Sequence, residues 1–412
     1  MAIAALSGWT SEQKHVVAAS FLGWSLDAFD FFLMVFVLKD IAAEFHTDIS
    51  NVTLAILLTL ATRPIGAFIF GRAADRWGRR PTLMVDILLY SILEFASGFA
   101  PSLTVLIVLR ALYGVAMGGE WGVGASLTME TIPPHARGFV SGLLQSGYPT
   151  GYFMASILYG ALFPYLGWRG MFMVGVIPAL LVFYIRRNVP ESPSWSRRAS
   201  EARGDTLTVL KSHWRLAVYA VVLMTAFNFF SHGTQDLYPT FLQVEHGLSP
   251  HAVGTIAVIY NIGAICGGIL FGTLSERFGR RRCIIVAALL SLPVIPLWAF
   301  SHSSTMLAAG AFLMQFMVQG AWGVVPVHLN EMSPDTARGT FPGFVYQLGN
   351  LLASVNATLQ AGIASYFGAN YGLALAAVAG SVAIIIALLT AVGTEAKGVV
   401  FGQGDARPGA RS

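Results

Sequence analysis

Charged residues are scarce in this chain of 412 residues: 11% of them are Asp, Glu, Lys or Arg, whereas 55% are apolar. A soluble domain carries about 25% charged residues. The chain therefore has too little polar surface to cover a water-facing globule of its length, which excludes a cytosolic enzyme, a disordered protein and a nucleic-acid-binding protein. Cysteine is also scarce, and Cys266 and Cys283 both lie in or beside apolar segments. We therefore expect no disulfide framework, no metal site and no cofactor.

Long apolar runs make up most of the remaining sequence. A helix that spans a membrane needs roughly 20 apolar residues. Runs of about this length lie near residues 16–38, 52–70, 82–99, 103–127, 139–161, 169–186, 217–243, 252–272, 283–300, 304–328, 341–363 and 372–393. They predict an all-α integral membrane protein with 12 transmembrane helices.

The longest hydrophilic stretch, residues 186–215, separates the sixth run from the seventh. It divides the chain into two halves with equal numbers of runs. We expect an N-terminal six-helix bundle at 1–188, a cytoplasmic linker at 189–213, a C-terminal six-helix bundle at 214–395 and a disordered cytoplasmic tail at 396–412.

The basic residues predict how the chain is oriented in the membrane. With the N-terminus inside, 21 of the 25 Lys and Arg residues fall on the cytoplasmic side. Lys39 and Arg169 fall outside, and Arg63 and Arg110 lie within runs. Because basic residues accumulate in cytoplasmic loops, we expect a multi-pass protein of the plasma (inner) membrane with both termini cytoplasmic.

One stretch of the sequence occurs twice, 201 residues apart. The second run is followed by Gly71, Asp75, Arg76, Gly78, Arg79 and Arg80, and the eighth by Gly272, Glu276, Arg277, Gly279, Arg280 and Arg281. The same offset relates Trp121 to Trp322, Glu130 to Glu331 and Arg137 to Arg338. Chance does not keep one offset over nearly seventy residues. The halves are therefore parallel repeats, an arrangement of secondary transporters in which the substrate site lies between the repeats near the midplane.

The repeated loop resembles the signature loop of the major facilitator superfamily, in both of its copies. Two further segments are similar to superfamily motifs: Arg110 to Gly114 in the fourth run, and Pro190-Glu191-Ser192-Pro193 after the sixth. The resemblance covers essentially the whole chain. It implies the major facilitator fold, in which 12 transmembrane helices form two six-helix bundles related by pseudo-twofold symmetry. It also implies that Arg110 is a structural arginine held in internal salt bridges.

The seventh run carries a narrower resemblance. It matches all seven specified positions of N-x-x-[S/T]-H-x-[S/T]-Q-D-x-x-x-T, with Asn228, Ser231, His232, Thr234, Gln235, Asp236 and Thr240. This pattern is typical of Jen-type lactate and monocarboxylate permeases, within the sialate:proton symporter family. Gln347 and Asn350 are similar to a Q-x-x-N pair that is tied to substrate choice in that family.

Acidic side chains inside the apolar runs are candidates for proton coupling, because a charge at the bilayer centre costs about 2.5–3.5 kcal/mol. Asp27 and Asp30 share one helix face in the first run. Glu120 lies in the fourth run beside two glycines. We expect these three residues to exchange protons. The alternatives are that the aspartates pair with Arg63 or Arg110 and brace the bundle, and that Glu120 belongs to an inner-gate network.

A carboxylate substrate needs a cation or strong hydrogen-bond donors. Arg63 is the stronger candidate, because a guanidinium binds a carboxylate through two parallel hydrogen bonds; Arg110 is the alternative. The seventh run adds a polar stripe on one helix face, where His232 could hold the carboxylate or act in proton transfer with Asp236. The expected substrate-binding residues are Arg63, Asn228, His232, Gln235, Gln347 and Asn350, and Asp236 joins the expected proton-coupling residues.

The two signature loops have an expected mechanical role. Gly71, Asp75 and Arg79 in the first copy correspond to Gly272, Glu276 and Arg280 in the second. Salt bridges between these acids and the nearby arginines would hold the halves together in the outward-open state and break when the inner side opens. A simple basic anchor on the cytoplasmic surface is the alternative.

These observations favour a proton-coupled importer of a small monocarboxylate such as lactate or pyruvate, working by alternating access as a monomer in the bilayer. A sialic acid or aromatic acid symporter is the closest alternative. An uncoupled uniporter or channel and a transporter-like sensor are alternatives from other classes. No nucleophile–base pair, metal-ligand set or G-x-x-x-x-G-K-[S/T] loop stands out, so we expect neither an enzyme nor an ATP-driven pump.

Overall fold

The computed structural model describes residues 7–198 and 206–402, and within these residues the regular structure is helical, with no strand. The N-terminal half contains α1 (Ser11–Phe36), α2 (Leu38–Glu44), α3 (Ile49–Trp77), α4 (Arg79–Ser97), α5 (Leu103–Met117), α6 (Glu120–Thr131), α7 (Arg137–Gln145), α8 (Gly147–Val174), α9 (Ala179–Asn188) and α10 (Pro193–Arg198). The C-terminal half contains α11 (Thr206–Ser212), α12 (Trp214–Gln235), α13 (Tyr238–Val244), α14 (Pro250–Phe278), α15 (Arg280–Leu290), α16 (Ile295–Ala299), α17 (Ser304–Met332), α18 (Phe341–Ala353), α19 (Asn356–Tyr366) and α20 (Tyr371–Val392).

Each of the 12 apolar runs falls on one helix or on two consecutive helices, which we call spans 1 to 12. Spans 1, 2, 3, 8, 10 and 12 are α1, α3, α4, α14, α17 and α20. Spans 4, 7, 9 and 11 are the pairs α5–α6, α12–α13, α15–α16 and α18–α19. Spans 5 and 6 share α8: span 5 begins with α7, and span 6 ends with α9.

Not every span is a long, uninterrupted apolar helix. Among the described residues, eight helical segments are long and apolar enough to cross a membrane, and Pro134–Val174 with Ala179–Asn188 forms a bent pair at 42°. Gly167, inside the first member of that pair, separates span 5 from span 6. Its φ of 61° and ψ of −175° lie outside the helical region, and a positive φ favours glycine. Span 3 carries buried charges, and span 11 is interrupted after Ala353.

The two halves meet most closely through glycines on one side of the molecule. A Cβ atom on Gly122 of span 4 would lie 2.7 Å from Gly343 Cα of span 11, and one on Gly142 of span 5 would collide with the Gly268 carbonyl of span 8. Side chains at these positions would push the backbones apart. We call this side, which also bears the signature loops, the signature-loop side; the basic residues predict that it is cytoplasmic.

The end of the chain differs from the sequence prediction. Residues 396–412 were expected to be disordered, yet residues 396–402 pack against the signature-loop side, and Phe401 is only 3% exposed. The Phe401 ring lies under the guanidinium groups of Arg137 and Arg338, at 3.7 Å and 4.0 Å from its centroid. Composition favours disorder here, but the ring with its two cations and the hydrogen bonds from Arg137 to the Val399 carbonyl and from Gly402 N to Asp335 hold the segment. Residues 403–412 and the middle of the linker, 199–205, lie outside the described residues.

Candidate functional site

A cavity of about 340 Å³ lies between the two halves. Spans 1, 2 and 5 of the N-terminal half line it, together with spans 7, 8, 10 and 11 of the C-terminal half. Its polar wall comprises Arg63, Gln145, Asn228, Ser231, His232, Gln235, Asp236, Asn261, Gln319 and Asn350. The volume is within the range of about 300–1,000 Å³ for small-molecule sites, and the convergence of polar groups from both repeats marks this cavity as the candidate binding site.

Arg63 brings a cation to the cavity without an acidic partner. Arg63 lies within span 2 and is 4% exposed. Its guanidinium carbon lies 5.1 Å from the centroid of the Phe31 ring, and its Nη2 donates to Met117 Sδ at 2.8 Å. Among the described residues no carboxylate forms an ion pair with it. A buried cation in that position is costly until an anion joins it.

His232 faces Arg63 from the other half of the molecule. Its Nδ1 lies 3.2 Å from Asp236 Oδ1, one helical turn along span 7, and its Nε2 lies 3.1 Å from Asn350 Oδ1 of span 11. Two oxygen acceptors at the two ring nitrogens match the doubly protonated imidazolium. The expected residues Asn228, His232, Asp236 and Asn350 therefore meet on one wall.

The expected pair on span 11 is divided by the structure. Asn350 lines the cavity, whereas Gln347 is 1% exposed and lies outside the cavity lining. The two residues are three positions apart, but the first part of span 11 packs its other face against span 7. Gln347 Oε1 has no hydrogen-bond partner among the described residues.

Span 10 adds glutamines that the sequence analysis missed. Gln315 Oε1 accepts a hydrogen bond from Gln235 Nε2 at 2.7 Å, and Gln319 Nε2 donates to Ser231 Oγ at 3.2 Å. These bonds fix the Gln235 amide and the Ser231 hydroxyl of span 7 against span 10. Both glutamines are polar residues inside a long apolar run, four positions apart on one face, and this was the signal that could have revealed them.

Aromatic rings form the rest of the wall and were also missed. Trp24, Phe31, Phe32, Tyr148, Tyr152, Tyr260, Trp322 and Tyr346 line the cavity. Several of them pack edge to face, such as Phe32 with Tyr152 at 5.0 Å between ring centroids. Such rings offer apolar faces with hydroxyl and indole N–H groups at their edges. The spacing of Tyr148 and Tyr152 was a sequence signal, but aromatic residues are frequent in this chain.

The buried acids of the N-terminal half lie behind the cavity wall. Asp27 is 1% exposed, and Asp30 and Glu120 are fully buried. None of their carboxyl oxygens has a hydrogen-bond partner in the described part of the chain. Asp86 of span 3, which the sequence analysis overlooked, is buried in the same way without a partner. The sequence signal was a carboxylate within the third apolar run.

Arg110 lies apart from the cavity. It forms a fully buried ion pair with Glu94 of span 3, and its guanidinium carbon lies 3.8 Å from the centroid of the Tyr113 ring. It is not among the residues of the cavity wall. Of the two arginines within runs, only Arg63 is therefore placed to contact a ligand in this cavity.

The acids of the signature loops bind the opposite half through backbone N–H groups. Asp75 accepts hydrogen bonds from Gly339 N at 2.7 Å and from Thr340 N at 3.1 Å, and Glu276 accepts one from Gly138 N at 2.5 Å. The two sets are related by the 201-residue offset. The contacts across the halves are thus carboxylate–amide bonds in addition to ion pairs.

The signature-loop arginines bind acids of their own half. Arg79 forms ion pairs with Asp75 and Glu130, and Arg280 forms the corresponding pairs with Glu276 and Glu331. Longer pairs at 3.9 Å cross between the halves, from Arg137 to Glu331 and from Arg338 to Glu130. Gly71 and Gly272 pack against the backbones of Thr340 and Gly138 of the opposite half. All six expected signature-loop residues thus lie in one network.

A second acid anchors the start of span 3. Glu191 accepts from the backbone N–H groups of Arg79 at 3.0 Å and Arg80 at 3.2 Å, so it caps the N-terminus of that helix. Burial raises the pKa of the Glu191 carboxyl, against the opposing effect of these hydrogen bonds. This contact gives a structural role to the Pro190-Glu191-Ser192-Pro193 segment.

Two pseudo-symmetric helical bundles that enclose a polar cavity between them define a secondary membrane transporter. The family model of the Major Facilitator Superfamily matches residues 20–235 and 221–408, and the chain belongs to that superfamily. The expected all-α major facilitator fold is therefore confirmed.

Curated relatives are named as transporters. The chain is 31% identical over 399 residues to the "Carboxylic acid transporter protein homolog" of Saccharomyces cerevisiae, covering 90% of this chain and 64% of that protein. It is 28% identical over 378 residues to the "Sialic acid transporter NanX" of Escherichia coli, covering 91% of this chain and 93% of the relative. It is 29% identical over 346 residues to the "Cis,cis-muconate transport protein" of Acinetobacter baylyi, covering 82% and 84%.

A solved structure has the same fold. The proton:xylose symporter XylE, bound to 6-bromo-6-deoxy-D-glucose, superposes with a TM-score of 0.80 at 18% sequence identity, covering 95% of this chain and 98% of that one. At this identity the similarity describes the arrangement of the helices.

Proposed function

We propose that this protein is a proton-coupled symporter that imports a small monocarboxylate, such as lactate or pyruvate, by alternating access. The observation that carries the proposal is Arg63, a buried cation on the cavity wall without a carboxylate partner among the described residues. A carboxylate substrate supplies the missing anion and accepts two parallel hydrogen bonds from the guanidinium.

The opposite wall gives the substrate its second set of contacts. In its protonated form, His232 donates to Asp236 and Asn350 and presents positive charge to the cavity. Because Arg63 belongs to one repeat and His232 to the other, a bound anion attracts both halves. Binding therefore favours a closed state around the substrate, which is the step that alternating access requires.

The contacts between halves support an outward-facing state. Asp75, Glu276 and the glycine pairs hold the halves together on the signature-loop side, and the basic residues predict that this side is cytoplasmic. Opening to the cytoplasm would break these hydrogen bonds as one bundle rocks against the other. We further propose a monomer with both termini in the cytoplasm.

Proton coupling is proposed for the buried acids. Asp27, Asp30 and Glu120 are buried and have no hydrogen-bond partner in the described part of the chain. Several ionised carboxylates cannot share a dry site, so some of these groups hold protons. Asp27 also lies close enough to Arg63 to interact electrostatically, which links the charge on the acid to the occupancy of the substrate site.

The choice of a small acid follows from the residues of span 7, which match the Jen-type pattern at all seven positions. A second candidate, an aromatic or sialic acid:proton symporter, is favoured by the aromatic cavity wall. The name of the relative from Escherichia coli, a sialic acid transporter, agrees with that candidate.

Counterflow in proteoliposomes separates the two candidates. Proteoliposomes that contain the purified protein are loaded with unlabelled acid and offered labelled lactate, pyruvate, acetate, benzoate or sialic acid, while a trapped dye reports internal pH. We expect lactate or pyruvate to exchange. In proteoliposomes without internal acid, we expect net uptake of the same acid to acidify the lumen, because exchange alone carries no net proton. Exchange of benzoate or sialic acid, without exchange of or competition by lactate, would overturn the small-acid assignment.

The coupling is tested by Asp27→Asn and Asp30→Asn. An amide cannot carry the proton, so both variants should lose accumulation driven by a pH gradient, while exchange of labelled acid continues. Exchange is the readout that a misfolded protein would also lose. If both variants still concentrate the acid, these residues brace the bundle and do not carry protons.

A further inference from the structure

Asp86 of span 3 lies outside the central cavity and outside the proposed mechanism. Its side chain is fully buried, and neither carboxyl oxygen has a hydrogen-bond partner in the described part of the chain. The groups that act on it electrostatically are Glu120 of span 4 and Asp27 of span 1. A buried acid whose neighbours are other acids lacks the compensation that a structural role provides.

Glycines make room for these carboxyl groups between the spans. A Cβ atom on Gly119 would lie 2.9 Å from Asp86 Oδ1, and one on Gly23 would collide with Glu120 Oε1. The carboxyl group of Asp86 therefore rests against the backbone of span 4 next to Glu120, while Glu120 points to span 1. Spans 1, 3 and 4 thus bring three acids into one buried group.

The three acids lie at successive depths. At a rise of 1.5 Å per residue, Asp27 is about 24 Å along its helix from Ser11, the end of span 1 on the signature-loop side. By the same rise, Glu120 is about 16 Å from Thr131 and Asp86 about 10 Å from Arg79, the corresponding ends of spans 4 and 3. The order from the midplane toward the signature loops is therefore Asp27, Glu120, Asp86.

A second cavity lies beside Glu120 and shares the lining residue Trp24 with the central cavity. It has a volume of about 10 Å³ and is lined by Glu120, Ser20 and Trp24, among others. That volume is close to the space for one water molecule. Trp24 also lines the central cavity, and its buried indole N–H has no hydrogen-bond partner among the described residues. An unsatisfied donor at this place suits a water molecule between the two cavities.

We propose that Asp86 is the terminal carboxyl group of a proton path that runs from the central cavity through Asp27 and Glu120 toward the signature-loop side. The inference rests on the proposed proton coupling and adds a residue and a direction to it. In each step, a carboxylic acid O–H donates its proton to the neighbouring carboxylate, directly or through water, and the last proton passes from Asp86 to water. The proton leaves through the N-terminal half, apart from the route of the substrate.

The test compares Asp86→Asn with the wild type in proteoliposomes, using the labelled acid that the wild type exchanges. Asn has nearly the same shape and cannot release a proton. We expect substrate-driven acidification of the lumen to fall at least tenfold, and exchange of the labelled acid to fall far less. Asp86→Glu restores a carboxyl group and should recover part of the acidification.

Ser91→Ala is the matched control on the same span. Ser91 is also fully buried, but its hydroxyl donates to the Ile87 carbonyl of its own helix. The control should retain both acidification and exchange. Thermal unfolding of each variant reports whether the fold is intact.

Three results would overturn the proposal. Normal acidification by Asp86→Asn would place the path elsewhere while leaving the proposed symport intact. Parallel loss of acidification and exchange in a stably folded variant, without recovery in Asp86→Glu, would make Asp86 a structural residue. Exchange without acidification by the wild type itself would refute the proposed coupling, and with it this path.

Discussion

At the scale of single residues, charge decides which side chains matter. Most buried charged groups in the described part of the chain are in ion pairs, such as Arg110 with Glu94 and Arg280 with Glu331. Arg63 differs, because its nearest described contacts are a methionine sulfur atom and a phenylalanine ring. An ion pair formed within the protein braces the fold, whereas a charged side chain without such a partner is available to bind a ligand.

We predict that Arg63→Lys weakens substrate binding at least tenfold. Lysine keeps the charge but loses the planar pair of donors that matches a carboxylate, and a tenfold change is about 1.4 kcal/mol. The half-saturation concentration for exchange in proteoliposomes measures it. Arg187→Lys, an exposed position at the end of span 6, is the control and should not change binding. Unchanged affinity in Arg63→Lys would move the carboxylate contact to another residue of the wall.

At the scale of elements, short contacts between loops hold the ends of the spans. On the side opposite the signature loops, Arg169 at the start of span 6 donates to Glu44 of α2 and to the carbonyl oxygens of Gly98 and Ala100 after span 3. Trp168 Nε1 donates to the same glutamate at 2.5 Å. Glu44 and Arg169 together thus join three connections that are far apart in the sequence.

The ionisation of Glu44 makes the stabilisation by this contact depend on pH. The hydrogen bond from Arg169 holds the pKa of the Glu44 carboxyl below its usual value. Because the folded-state pKa is lower than the unfolded one, the contact stabilises the fold above the unfolded pKa and is lost as the pH falls through the folded pKa. We expect Glu44→Gln to unfold at a lower temperature than the wild type at pH 7. The two melting temperatures should converge once the pH falls below the folded-state pKa of Glu44, which lies under its usual value, and a difference that persists there would exclude this ionisation as the cause.

At the scale of the whole molecule, the two repeats are held together by contacts that the repeat itself duplicates. Asp75 accepts from Gly339 N, Thr340 N and Thr340 Oγ1, whereas Glu276 accepts from Gly138 N and pairs with Arg280. The two copies occupy equivalent places but make different numbers of bonds across the halves. The closed side is therefore stabilised unequally by the two signature loops.

We predict that Asp75→Asn opens the signature-loop side more than Glu276→Gln does. The aspartate loses charge-assisted bonds to three donors of the opposite half, while the glutamate loses one. Distances between spin labels placed on the signature-loop ends of spans 5 and 8 report the population of the open state. Equal shifts in both variants would show that the number of bonds across the halves does not control closure.

The ordered end of the chain provides a second control on closure. Phe401 lies under Arg137 of one half and Arg338 of the other, and Arg137 Nη1 also donates to the Val399 carbonyl at 2.9 Å. Phe401→Ala removes the ring that both guanidinium groups share, so we expect the same spin labels to report a larger open population. Phe401→Trp keeps an aromatic face and should stay closed. Closure in Phe401→Ala equal to the wild type would contradict this role.

Much of this protein follows from its sequence alone. The scarcity of charge predicts a membrane protein, because a chain with so few polar residues cannot form a water-facing surface of the required size. The lengths of the apolar runs predict the spans, and the 201-residue offset predicts two bundles around a common cavity. Arg63 was found because a charged group inside an apolar run needs a reason, whereas His232 and Asn350 were found through the resemblance to the monocarboxylate permeases.

Tertiary structure decided what those polar groups face. Arg63 and Arg110 are both arginines within runs, yet only the structure shows Glu94 beside Arg110 and an open cavity beside Arg63. Gln347 and Gln319 lie in similar surroundings in the sequence, but packing turns the first away from the cavity and the second toward it. The physical reason is that helical periodicity orders residues around one axis, whereas the neighbour of each face depends on how the spans pack together.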